Sequence, residues 1–145
     1  MIKKSGIIDK FIIQLFAPSL SKKTNFFRLL AVAQKAGLWI RDALVSIRKS
    51  ERQRGMILIV DDLILQLTEG VNLWNAMENH DYIFTKDEIA LVKSSEVVGN
   101  MPDILEDIAA ENENMQKIYH KIGKAVAYPA ILLVFTVIAV SILLL

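Results

Sequence analysis

Apolar residues recur at spacings of three and four along this chain, and no alternating apolar–polar run is longer than a few residues. That period predicts helix after helix and no sheet. Ile8, Phe11, Ile12 and Leu15 make a short apolar stripe closed by Pro18. Ser21 or Thr24 can cap the next helix, whose inward residues would be Phe26, Leu29, Leu30 and Ala33. Gly37 then supplies a left-handed stop after Ala36. Trp39 to Arg52 places Ile40, Ala43, Leu44 and Ile47 on one face with charges opposite. Met56 to Thr68 is apolar nearly all round, which predicts a position at the centre of a bundle, and Gly70 ends it. Asn72 caps a short helix with Leu73, Ala76 and Met77 inward. Thr85, Lys86, Asp87 and Glu88 have capping-box form and open a helix that continues to Glu96.

The last helix begins after Gly99 and Asn100, with Pro102 tolerated in its first turn. Met101, Leu105, Ile108, Asn112, Met115, Tyr119 and Ile122 alternate spacings of four and three, a heptad seam with one polar member. Nothing breaks this helix before Ala125–Leu145, 21 residues without a charge. A helix of that length is about 30 Å long, the thickness of a bilayer's hydrocarbon core. Lys117, Lys121 and Lys124 precede it, which keeps the preceding residues in the cytoplasm, and Tyr128 falls at interface depth. Pro129 removes the bond to the carbonyl of Ala125, so a bend is expected there. The apolar run is at the wrong end for a cleaved signal peptide.

The predicted organisation is an amphipathic segment over 1–20, a cytoplasmic helical bundle over 21–124 and a transmembrane helix over 125–145. The fold class is all-α: a compact antiparallel bundle of about six helices, the last continuing into the membrane. A span that stops with the sequence fits a tail-anchored protein or the front piece of a longer membrane protein. The motifs below favour the second.

Charge sharpens the picture. Residues 1–60 carry twelve Lys/Arg against three Asp/Glu, and residues 61–116 carry two against thirteen, so a net charge of +1 hides a dipolar chain. The basic residues are interleaved with apolar helix positions and no base-reading motif accompanies them, which argues against nucleic acid as a partner. There is no Cys, hence no disulfide, thiolate nucleophile or Cys-bound zinc. His80 and His120 lack a ligand at helical spacing and read as a surface and a juxtamembrane histidine. Glu106, Asp107, Glu111 and Glu113 read as a solvated face, with a weak cation site as the minor alternative. No phosphate loop, nucleophile elbow or carboxylate pair is present, so neither an enzyme nor a bound cofactor is expected.

Glu96 is the residue that poses a question. It lies seven positions after Ile89 and four after Val92, on their apolar face, at a corner. It is either a partly exposed carboxylate of no consequence or an inward one that accepts from the free amides opening the Met101 helix. Asn112 is either a slip in the seam or a buried residue that fixes register. The Ile8 stripe, with Lys3, Lys4 and Lys10, docks on the bundle or lies on a membrane or a partner.

Several short motifs stand in a suggestive order. Ala36–Leu44 (A-G-L-W-I-R-D-A-L) is similar to A-G-L-P-L-x-x-A-L, and Gly70–Met77 (G-V-N-L-W-N-A-M) to G-x-S-L-x-x-A-L. Phe84, Glu96, Gly99, Asn100 and Pro102 match an F-P followed in register by G-E-x-S-G-N-L-P, and Tyr128–Pro129 matches a Y-P at a membrane mouth. From about Asn25 onward the chain thus resembles the inner-membrane platform proteins of type II secretion and type IV pilus assembly. Trp39, Thr85, Ser95, Val98 and Met101 depart from the family pattern.

The resemblance implies a six-helix cytoplasmic domain followed by further spans and a second domain copy. It marks Gly37, Gly70, Phe84, Glu96, Gly99, Asn100, Pro102, Tyr128 and Pro129 as motif residues. It further implies a non-enzymatic platform in the bacterial inner membrane, residues 1–124 cytoplasmic. Its partners would be a cytoplasmic assembly ATPase, pilin or pseudopilin subunits, other inner-membrane assembly proteins and the lipid bilayer. Opposite charge on the two halves also suits a homo-oligomer, dimer or higher. The alternative is a tail-anchored adaptor or sensor with a helical protein-interaction domain.

Overall fold

A computed structural model describes residues 18–144, apart from the side chains of 124–127. The Ile8, Phe11, Ile12 and Leu15 stripe lies outside the described residues. Among these there are six helices and no strand: α1 (Leu20–Lys35), α2 (Ile40–Ser50), α3 (Arg54–Thr68), α4 (Leu73–Glu78), α5 (Lys86–Val98) and α6 (Met101–Leu143). The chain forms two compact units that divide after Asn112.

In the first unit α2 packs against α1 and α3, and α4 against α3 and α5. Arg41 bonds Thr68 and Arg48 bonds Asp61, so α2 and α3 run antiparallel. The core is apolar and continuous, with Phe27, Leu30, Leu44, Met56, Val60, Leu63, Met77, Val92 and Leu105 fully buried. Phe26, Phe27 and Phe84 form an aromatic cluster with ring centroids 5.5–5.8 Å apart in edge and tilted contacts. Such contacts add to the burial term itself.

Helix starts and stops follow local chemistry, with three departures from the sequence reading. α1 is capped by Ser19, whose hydroxyl accepts from the Lys22 amide, and not by Ser21 or Thr24. Thr24 is instead buried inside α1, donating to the Leu20 carbonyl. The buried face of α1 is rotated accordingly: Phe27 and Ala31 are inside, while Leu29 is exposed. α3 is not enclosed all round, since Leu58 and Leu65 face solvent. The Thr85 capping box has both of its bonds, Glu88 N–H to Thr85 Oγ1 and Thr85 N–H to a Glu88 carboxylate oxygen.

Gly37 and Gly70 stop α1 and α3 at φ +82° and +86°. Gly99 turns α5 into α6 at φ +83°, a left-handed backbone that side chains with a Cβ adopt only at a cost of about 1–2 kcal/mol. Beside it Ser95, fully buried, sets its hydroxyl against Val92 O at 2.7 Å and Met101 Sδ at 3.0 Å.

The second unit, from Glu113, is helix. Met115, Tyr119 and Ile122, the later members of the seam, are exposed, as is Ile118. α6 contains a stretch long and apolar enough to cross a membrane, none of it buried in protein. Thr136 and Ser141 return their hydroxyls to the carbonyls of Leu132 and Val137, both at 2.8 Å. Polar groups satisfied within the helix are what lipid surroundings demand.

Candidate functional site

Two carboxylates organise the bundle, and both come from α5. Glu88, at the third position of the helix, is 7% exposed. Lys23 of α1, equally buried, places Nζ 2.9 Å from Oε1 and 3.0 Å from Oε2. The Asn112 side-chain amide of α6 donates to Oε1 at 2.7 Å, and the Thr85 amide donates to Oε2 at 2.8 Å. One carboxylate therefore closes a capping box, neutralises a buried ammonium and holds α6. A buried charge left without such partners is strongly destabilising. Asn112 is thus a buried register residue and not a slip in the pattern.

Glu96 is half-buried near the other end of α5. Its Oε1 accepts from the Leu73 amide at 2.9 Å, with the Trp74 amide as a further donor. These are the first free amides of α4, so Glu96 caps that helix rather than the Met101 helix nominated from sequence. The reason is visible at Asn72, which stands at the N-cap position yet makes no side-chain cap bond. A carboxylate 23 residues downstream supplies the acceptor that the local residue does not. Burial raises the Glu96 pKa, and the two amides work against that rise.

A third network joins α3 to the turn after α4. His80 Nε2 lies 2.8 Å from Asp62 Oδ2 and its Nδ1 3.0 Å from Tyr82 OH. Gln66 donates to Asp62 at 2.6 Å and Asn79 donates to Gln66 at 2.9 Å. His80 is therefore wedged between two partners and is not the plain surface histidine expected. Burial, then the charges of Asp62 and Asp81, raise the Tyr82 pKa. The group ties a loop down. Among the described residues no cluster of potential metal ligands occurs.

The other motif residues take separate places. Phe84 is 1% exposed in the aromatic cluster. The Asn100 carbonyl receives the Ile104 amide at 3.3 Å, and Pro102 sits in the first turn of α6. Tyr128 is exposed and Pro129 lies inside α6. Phe84 packs on α1 through Phe26 and Phe27, Glu96 caps α4, and Gly99, Asn100 and Pro102 lie at the passage from α5 into α6. Tyr128 and Pro129 belong to the second unit. Sequence reasoning found Glu88 only as a cap residue and missed Lys23. Nothing in a lysine on a basic helix announces that it is the buried one.

Residues 26–145 match the family model described as type II secretion system (T2SS), protein F. The chain is 30% identical over 118 residues to a type II secretion system protein F of Vibrio cholerae, covering 81% of this chain and 29% of that one. It is 29% identical over 120 residues to a type IV pilus assembly protein PilC of Thermus thermophilus, covering 83% and 29%. A type IV pilus assembly protein PilC of Pseudomonas aeruginosa is 25% identical over 119 residues, covering 82% and 32%. The chain thus spans about three-tenths of the length of these relatives. With a helical bundle followed by a membrane-length apolar helix, and a family match over most of its length, the chain belongs to the type II secretion system protein F family.

Proposed function

We propose that this chain is the first cytoplasmic domain and first membrane span of a non-enzymatic inner-membrane platform, one that couples a cytoplasmic assembly ATPase to pilin or pseudopilin subunits. One observation carries the reading. α6 is locked into the bundle by Met101, Leu105, Ile108 and Asn112, and the same helix holds the apolar stretch fit for a bilayer. A part of this kind links events in the cytoplasm to events in the membrane without chemistry of its own. Lys117, Lys121 and Lys124 favour a cytoplasmic location for residues 1–124. The unequal charge of the two halves favours docking to charged partners or to further copies.

The test is co-purification from detergent-solubilised membranes of cells that also make the assembly ATPase of the same system. Retention of the ATPase on the tagged chain is expected. Its absence under gentle detergent and low salt would overturn the proposal.

A further inference from the structure

Where α1 ends and α6 begins, an open cleft of about 550 Å³ is lined by Gln34, Leu38, Trp39, Glu96 and Met101, among others. Trp39 is 82% exposed, and Leu38 is exposed beside it. Val97 and Val98, the two residues after Glu96, leave 86% and 74% of their surface to water. Tryptophan is among the residues most enriched at binding hot spots. In this bundle it contributes almost no burial of its own.

Glu96 supplies the second half of the argument. Of the other carboxylates drawn into the bundle, Glu51 pairs with Lys22 at 3.1 Å, Glu88 pairs with Lys23 at 2.9 Å, and Asp62 meets His80 at 2.8 Å and Gln66 at 2.6 Å. Among the described residues no cation lies within ion-pair reach of Glu96, which has only backbone amides. A half-buried carboxylate among apolar groups is a strong acceptor for an incoming cation. The cleft also stands clear of the end of the unit. α6 runs antiparallel to α1, for Lys35 pairs with Glu106 while Lys23 shares Glu88 with Asn112. Met101 and Asn112 are thus about 16 Å apart along the helix axis.

We propose that this cleft docks a protein segment presenting an arginine or lysine next to a large apolar side chain. The apolar group packs on Trp39 and Leu38, and the cation pairs with Glu96. An arginine also stacks on the exposed indole. This inference rests on the platform reading, under which the segment belongs to the assembly ATPase.

The experiment measures the affinity of the immobilised assembly ATPase for the full chain in detergent. Wild type is compared with Trp39→Ala, Glu96→Gln and a control, Leu58→Ala, on the exposed side of α3. Glu96→Gln keeps an acceptor for the α4 amides, and Trp39 is too exposed for its loss to disturb packing; melting temperatures no lower than wild type confirm both. Trp39→Ala and Glu96→Gln should each weaken binding by about tenfold, with Leu58→Ala unchanged. If wild type binds and neither variant weakens it, the cleft assignment is overturned and the platform reading stands. If wild type does not bind, the platform reading fails and this partner with it. If Trp39→Ala dissolves a dimer in sedimentation while ATPase affinity holds, a second copy fills the cleft and the assignment is wrong.

Discussion

The side-chain amide of Asn112 donates to Glu88 Oε1 across 2.7 Å, inside the bundle and 24 residues away in sequence. This bond connects α6, at the last residue of the first unit, to the carboxylate that also neutralises Lys23. A leucine at this seam position would bury more apolar surface. A buried asparagine amide needs an acceptor opposite it, which Glu88 Oε1 supplies in this register, so it selects the register of α6.

Glu88→Ala should therefore lower stability by about 3–5 kcal/mol, because it strands the buried Lys23 ammonium and removes half the capping box. Asn112→Ala should cost about 1–3 kcal/mol, the price of one charge-assisted bond in a buried place. The double variant Lys23→Ala/Glu88→Ala should lose less than the two single losses together, since no orphan charge remains. Denaturant unfolding of the detergent-solubilised chain, followed by circular dichroism, measures these variants and Lys23→Ala. Additivity would show that the pair is not coupled.

At α4 the cap is remote and the local candidate idle. Glu96→Ala should cost about 1 kcal/mol, the ordinary value of an N-cap. Asn72→Ala should change stability by less than about 0.5 kcal/mol, as its side chain makes no cap bond. A larger loss for Asn72→Ala than for Glu96→Ala in thermal melting would invert this assignment.

Two carboxylates should pull the pH dependence of stability in opposite directions. At Glu51 burial works to raise the pKa, but the Gln53 amide, the Lys22 ammonium and the Arg52 amide outweigh it and hold the group below its ordinary value. The folded state then binds that proton less tightly than the unfolded chain. Its stabilisation is present above the unfolded pKa and lost as pH falls through the folded one. At Glu96 burial raises the pKa, so the folded state holds the proton more tightly. That contribution is full below the unfolded pKa and is lost as pH rises through the folded one. Melting temperatures between about pH 3 and 7 should show Glu51→Gln flattening the acid-side loss. Glu96→Gln should flatten the decline just above the ordinary carboxylate range. Parallel profiles for wild type and both variants would contradict this.

Membrane residence should depend on the apolar stretch of α6. Val134→Arg places a guanidinium where Val134 is exposed, at a cost of about 2.5–3.5 kcal/mol for insertion. Alkaline extraction of membranes should release a large part of this variant and none of Val134→Leu. Equal retention of both would mean that this stretch does not anchor the chain.

What the linear chain determined is whatever depends on near neighbours. The stops at Gly37, Gly70 and Gly99, the Thr85 capping box, the first-turn Pro102 and the buried faces of α2 and α4 all follow from spacing within one helix. The 21-residue uncharged stretch needs no partner to declare itself. Where spacing left room, it misled by two residues: Ser19, not Ser21, caps α1, because its hydroxyl is the one that reaches the Lys22 amide. Only the tertiary structure could decide which charges are inside. Lys23 and Lys22 are adjacent in sequence, yet one is buried on Glu88 and the other half-exposed on Glu51. The same holds for Glu96, whose amides lie 23 residues back along the chain. A carboxylate finds the nearest unsatisfied donors in space, and that distance is set by how helices pack, which no period along the chain records.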